Sequence, residues 1–372
     1  MRLVPVNCVR PGTHLGKTLY NSSGSILLKH GIELNETLLA RLEENGIGLV
    51  YIDDGYSQQE IHDIIQPEVR HRAIDSLRNV FELIERKPRA SSEEVQDVRK
   101  QLLMKSMSKY LDTVKTVSAT IIDNILSSQT LMINLVDIKT YDSHTYEHSL
   151  NVAVLSLILG IEAKMGRNLL HSLFIGALLH DVGKVLVPVK AGRQLSEAEK
   201  ELMKEHPLRG YEYLKESRSI DGTAKSVILQ HHERADGQGY PRGTPGEFIS
   251  QAARIISIAN CYDNLTSNTL EGPAVPPNEA MEYLMGGAGT EFDFELVSLF
   301  VRKIIPYPPG TLVRLSNGEI AVVTEVNSNF PLRPVVRCIT RGTGAVSSQA
   351  LNLMQEYSII ITGVQLEDPR NL

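Results

Sequence analysis

Apolar positions fall into distinct regimes along the chain. In residues 1–56 they come in short bursts. His14 to Tyr20, Ser25 to Lys29 and Leu49 to Ile52 read as strands, with a turn at Asn21-Ser22-Ser23-Gly24. Between them a short helix carries Leu38, Leu39 and Leu42, capped by Asn35 and stopped at Gly46. From 57 to 136 the apolar residues recur every three or four positions. Ile74, Leu77, Val80, Phe81 and Ile84 share one helix face, and Lys87 to Ser92 interrupts it. A second helix then carries Val95, Val98, Leu102 and Met104 and runs on through Ile121 and Ile125. Such a pair is either a packing layer for the next domain or a contact with a second copy. Residues 137–305 read as nearly all helix. After Pro306-Tyr307-Pro308-Pro309-Gly310 the period drops to two, with candidate strands at Thr311 to Leu315, Ile320 to Glu325, Val335 to Thr340 and Ser358 to Thr362. The expected architecture is mainly α. An all-helical domain at 137–305 follows a helical hairpin at 57–136, with a small mixed α/β module at 1–56 and a β-rich tail at 306–372.

Composition narrows the partners. The 372 residues are 42% hydrophobic and 22% charged, enough to bury a core without staples. A net charge of −6 argues against polymeric nucleic acid, which selects a basic field, but leaves room for a small phosphate ligand. Cys8, Cys261 and Cys338 are far apart and form no CxxC, as expected of free thiols in a reducing compartment. The start has no long apolar run of the signal-peptide kind. The apolar stretch from Val152 to Ile161 is cut by Ser156 and Gly160 and is too short to span a bilayer. These features predict a cytoplasmic protein without membrane insertion.

The chemistry lies in the helical domain. His148 stands near the start of an apolar helix, and His180-Asp181 follows Ala177-Leu178-Leu179. His206-Pro207 precedes Leu208-Arg209-Gly210, and His231-His232-Glu233 ends a helix and enters a turn through Gly239-Tyr240-Pro241. Asn260 and Asp263 lie on a later helix. A lone histidine is usually a satisfied or surface imidazole. A set of histidines at helix ends, one beside Asp and two adjacent, instead suits divalent iron, manganese, nickel or zinc. Asp181 has two oxygens and could bridge two cations. A water activated between two such ions attacks a phosphate ester without any side-chain nucleophile.

These motifs resemble the HD-GYP family, a branch of the HD metal-dependent phosphohydrolases. The likeness covers roughly 137–305. It includes His180-Asp181-x-Gly183-Lys184, His206-Pro207-x-x-Gly210, His231-His232-Glu233-x-x-Asp236-Gly237-x-Gly239-Tyr240-Pro241 and Tyr262-Asp263-x-Leu265-Thr266-Ser267. The resemblance implies an all-helical domain with two divalent metals, iron or manganese foremost, and in some members a third. It implies hydrolysis of cyclic di-GMP to the linear dinucleotide or to GMP. By motif, His148, His180 and Asp181 would hold one metal. His206, His231 and His232 would hold the other, with Asp181 between. Lys184 would neutralise a phosphate, while Asp236, Asp263 and the Gly239-Tyr240-Pro241 turn would meet the substrate. His144, four residues before His148, would support the third metal.

The sequence departs from the family in two places. Asn260 stands where the family carries an aspartate ligand; a neutral amide holds a cation less tightly. Asn268-Thr269-Leu270-Glu271-Gly272 replaces an arginine-containing run that would fork onto phosphate. Both leave a rival open: a signalling or binding protein that holds nucleotide or a partner without turnover. A phosphohydrolase for another cyclic nucleotide is the third reading.

Overall fold

The computed structural model describes residues 1–20, 26–45, 47–56, 65, 67–85, 93–127, 144–189, 193–267, 274–327 and 329–371. The amino-terminal module is built from β1 (Arg2–Pro5), β2 (Thr13–Leu15), β3 (Leu19–Tyr20), β4 (Ile26–Leu28), β5 (Glu33–Leu34), α1 (Glu36–Glu44) and β6 (Leu49–Asp53). Its antiparallel sheet has the order β1-β6-β2-β5, and β3 pairs with β4. Asn35 caps α1 as expected, accepting from the Leu38 amide at 2.9 Å. Leu39 and Leu42 of that helix close a small core over Val4, Leu15, Val50 and Ile52. The sequence pattern had not revealed β1. The turn at 21–24 and the Gly46 stop lie outside the described residues.

Two long helices follow, α2 (Pro67–Glu85) and α3 (Glu93–Ser127). Ile84, Leu77, Val80 and Phe81 are buried on α2, and Ile121 and Ile125 on α3, in the same apolar cluster as the helical domain. Outward positions on the described part of α3 are mostly polar, among them Lys109, Asp112, Lys115 and Thr116, with Leu126 exposed near its end. The hairpin packs against the helical domain.

The helical domain comprises α4 (His144–Glu162), α5 (Arg167–Leu179), α6 (Glu197–Met203), α7 (His206–Leu214), α8 (Gly222–Gln230), α9 (Gln251–Leu265), α10 (Pro277–Gly286) and α11 (Phe294–Lys303). Helix α5 is its centre, with every residue from Ser172 to Leu179 buried. Among the described residues, the stretch Arg167–Leu186, rather than Val152 to Ile161, is the one long and apolar enough to cross a membrane by length and composition, and 78% of its most apolar window is buried inside the fold. Helices α4, α5, α8 and α9 pack side by side, and glycine sets how closely. A Cβ on Gly176 of α5 would reach within 2.9 Å of Val227 Cβ on α8. That close crossing brings the ends of α5 and α8, and their histidines, together.

The tail forms a five-stranded antiparallel sheet from β7 (Leu312–Leu315), β8 (Ile320–Glu325), β9 (Val335–Ile339), β10 (Leu351–Asn352) and β11 (Ile361–Val364), in the order β10-β9-β8-β7-β11. It docks on the amino-terminal module. Arg2 pairs with Asp54, both side chains at most 5% exposed, and donates to Leu366 O at 3.0 Å. Tyr56 reaches Asp368 and packs against Leu312, Val322 and Ile339.

Candidate metal centre

Five histidines and one aspartate meet where helices end. His180 caps α5, His206 opens α7 and His231 caps α8, so each ring stands beside the backbone carbonyls of a helix turn. Those carbonyls fix the tautomers. Nδ1 of His180 lies 2.6 Å from Ala177 O, Nδ1 of His206 2.8 Å from Met203 O, and Nδ1 of His231 3.0 Å from Ile228 O. A carbonyl only accepts, so each Nδ1 carries the proton and each Nε2 offers a lone pair. His148 on α4 is held through Nδ1 by the Asp263 carboxylate at 2.7 Å.

The Nε2 atoms point at Asp181, which is 1% exposed. His206 Nε2 is 3.2 Å from Asp181 Oδ1 and 3.1 Å from His231 Nε2. On the other oxygen, His180 Nε2 is 3.4 Å and His148 Nε2 3.8 Å from Oδ2. His180 Nε2 and Asp181 Oδ1 are buried and make no hydrogen bond. Lone pairs crowded together with no proton between them repel unless a cation sits among them. Ligands about 2.1 Å from one ion stand roughly 3.0–3.4 Å apart along the edges of an octahedron or tetrahedron, the spacing of His206 and His180 to Asp181 and of His206 to His231, while His148 and His231 stand wider from Asp181 at 3.8 and 3.9 Å. Two groups of ligand atoms fit a cation each: His148, His180 and Asp181, and Asp181, His206, His231 and His232. Asp181 belongs to both.

Electrostatics keeps these groups in their ligand forms. Burial, and then the neighbouring imidazoles, hold His231 and His232 well below the usual imidazole range. Burial lowers His206 too, against the pull of Asp181. Burial alone would raise the Asp181 carboxyl, but His180, Lys184 and His206 outweigh it and hold it well below the usual carboxylate range. Lys184 Nζ donates to Asp181 Oδ2 at 2.6 Å, and its side chain is 42% exposed, so the ammonium stands at the mouth of the centre.

Glycine allows the contact that closes the site. Asp181 begins a short 3-10 turn, Val182–Leu186, that lies on α7. A Cβ on Gly183 would overlap the backbone of His206 and Gly210, so only glycine lets Asp181 approach His206. Gly239 is constrained alike by the backbone of His232, Glu233 and Arg234. Tyr240 then stacks on His232, ring centroids 4.5 Å apart and planes at 18°. The Tyr240–Pro241 peptide is cis.

Several residues stand where the sequence did not put them. Asp263, expected on the substrate side, is 5% exposed and faces His148 from behind. Asp236, expected on the substrate wall, pairs with Arg234 and accepts from the Gln238 amide, which makes it a turn-former. Arg234 also pairs with Glu291 at 3.0 Å, so two carboxylates already answer its charge. Asn260 is 4% exposed on α9, and its Oδ1 accepts from Asn264 Nδ2 at 2.9 Å. His144 opens α4 but its side chain lies outside the described residues, as does the 268–272 run. Glu233, given no role from sequence, is 3% exposed and bonded to the returning loop. Its place in the motif right after His231-His232 was the available signal.

The family model described as an HD domain matches residues 130–296, the segment that carries every one of these ligands. That segment is similar to the HD domain family. A second model, described as a KOW domain associated with HD domain, matches residues 312–368, the β-rich tail. The chain is 33% identical over 229 residues to a cyclic di-GMP phosphodiesterase of Pseudomonas aeruginosa, covering 61% of this chain and 54% of that one. It is 26% identical over 221 residues to cyclic di-GMP phosphodiesterase PdeB of Borreliella burgdorferi, covering 59% and 58%. A 3'3'-cGAMP-specific phosphodiesterase of Vibrio cholerae is 33% identical over 175 residues, covering 44% of this chain and 38% of that one. The chain thus spans little more than half the length of these first two relatives.

Proposed function

We propose that this protein is a cytoplasmic, metal-dependent phosphodiesterase that opens a cyclic dinucleotide, cyclic di-GMP first, to the linear dinucleotide or GMP. The observation that carries the reading is the convergence of His148, His180, His206, His231 and His232 on the two oxygens of Asp181. The names of the matched relatives point to cyclic dinucleotides as the substrate class. Two cations, iron or manganese first and nickel or zinc next, would acidify a water and draw charge from the phosphoryl oxygens. Asp181 stays ionised to bridge them. The three carbonyl-bound imidazoles present Nε2 without rotating. The Lys184 ammonium, beside Asp181 and open to solvent, meets the phosphate.

One observation favours a second reading. Asn260, one helical turn before the His148 partner Asp263, carries no charge, and its amide oxygen already accepts from Asn264. A weakly held first cation would leave a protein that binds nucleotide without cleaving it. The decisive experiment loads the full chain with manganese or iron, adds cyclic di-GMP, 3'3'-cGAMP or cyclic di-AMP, and resolves the products. A linear dinucleotide or mononucleotide from any of them supports the phosphodiesterase. Saturable binding with no product establishes the second reading, and neither binding nor product overturns both.

A further inference from the structure

Four of the five imidazoles are oriented by a hydrogen bond at Nδ1: to Ala177 O, Met203 O, Ile228 O and the Asp263 carboxylate. His232 differs. Among the described residues no hydrogen bond orients its ring; what lies flat against it is the ring of Tyr240. The His231 and His206 rings approach it tilted and edge-on at 4.3 and 5.1 Å, so Tyr240 is the one stacked wall among its three ring neighbours.

We propose that Glu233 is a positioning residue for the second cation group: it clamps the returning arm of the loop so that Tyr240 holds His232 toward His206 and Asp181. Glu233 Oε1 accepts from the Arg242 amide at 2.9 Å and from Thr244 Oγ1 at 3.1 Å, while Oε2 accepts from the Thr244 amide at 2.8 Å. The outgoing arm has its own braces. Ala235 and Asp236 donate to the backbone oxygens of Glu291 and Thr290, and Arg234 pairs with Glu291. The returning arm has the Tyr240 amide on His232 O at 3.1 Å and then Glu233. No cationic side chain pairs with Glu233 among the described residues. Its charge is satisfied by three neutral donors, a use of a buried carboxylate that a loop clamp explains and a surface role does not.

Both carboxylate oxygens are needed as acceptors. In Glu233→Gln one of them becomes an NH2 facing an N–H, so at least one of the three bonds is lost and a donor is left unpaired. The inference rests on reading the centre as a cation site, and its test does not depend on turnover. Amide exchange at Arg242 and Thr244 is measured in wild type and Glu233→Gln, together with stepwise manganese affinity by calorimetry. We expect exchange at those two amides to accelerate, and the step that uses His232 to weaken by about tenfold, the scale of outer-sphere effects on metal affinity. The His148–His180 step should stay unchanged. Tyr240→Ala should reproduce the affinity loss and Tyr240→Phe should not, which keeps the test available if Glu233→Gln misfolds. Unchanged exchange in Glu233→Gln, or faster exchange with both manganese steps intact, overturns the proposal. Failure of the nucleotide assay alone leaves it standing.

Discussion

Gly183 is the residue on which the approach of Asp181 to His206 depends. A methyl group there overlaps the His206 carbonyl and the Gly210 amide, both backbone, so nothing nearby can rotate away. Gly183→Ala should cost about 1–3 kcal/mol, the usual scale of overpacking, seen as a lower urea midpoint. It should also weaken cation binding, since Asp181 moves with the turn. The opposite change is expected at Asn260. Asn260→Asp adds a negative charge one helical turn before Asp263, the partner of His148, and should raise manganese retention at the His148–His180 step. Retention equal to wild type would mean that residue 260 stays with Asn264 and does not reach the cation. Residue types in the motifs pointed to the histidines and the aspartate that the structure gathers into two groups able to hold a cation. Which way a carboxylate faces was not legible: Asp263 and Glu233 sit among the same motif residues as the ligands, yet both face the framework, because side-chain direction depends on what packs behind the helix or loop.

At the scale of elements, the helix ends do the positioning. The sequence announced this through histidines placed after apolar runs, and α5 and α8 end at His180 and His231 as that pattern implied. The hairpin helices were legible as helices, but not as part of the same core, because burial against α4 and α5 is a tertiary fact. One contact in that layer is sensitive to pH. His171 of α5 meets Ser118 of α3, Nδ1 to Oγ 2.9 Å, and burial followed by Arg167 lowers its pKa below the ordinary value near 6.5. The folded state therefore resists protonating this ring while the unfolded state takes the proton. Its contribution to stability is present above pH 6.5 and is lost as pH falls from there toward the folded value. Denaturant midpoints of wild type and His171→Gln, compared between neutral and mildly acidic pH, should converge as pH falls. Parallel curves would show that the ring does not titrate on folding.

At the scale of the whole molecule, the two small modules grip each other rather than standing apart. No periodicity could announce this, because Arg2 and Leu366 are separated by almost the entire chain. Breaking a buried ion pair by removing one partner costs about 3–5 kcal/mol. Asp54→Ala should therefore loosen both modules, and limited proteolysis should release fragments from 306–372 sooner than in wild type. The centre has a global consequence of its own. Its ligands come from α4, the end of α5, the residue capping the 3-10 turn, α7 and the end of α8, so a cation in each group would tie together segments far apart in the sequence. Without a cation, the inward lone pairs strain against each other. With one, they become the strongest stitches in the domain. A ligand at a hundred times its dissociation constant adds about 2.7 kcal/mol to folding stability. The melting temperature should therefore climb with the logarithm of free manganese and drop on chelation, so a melting curve alone becomes a gauge of how full the centre is.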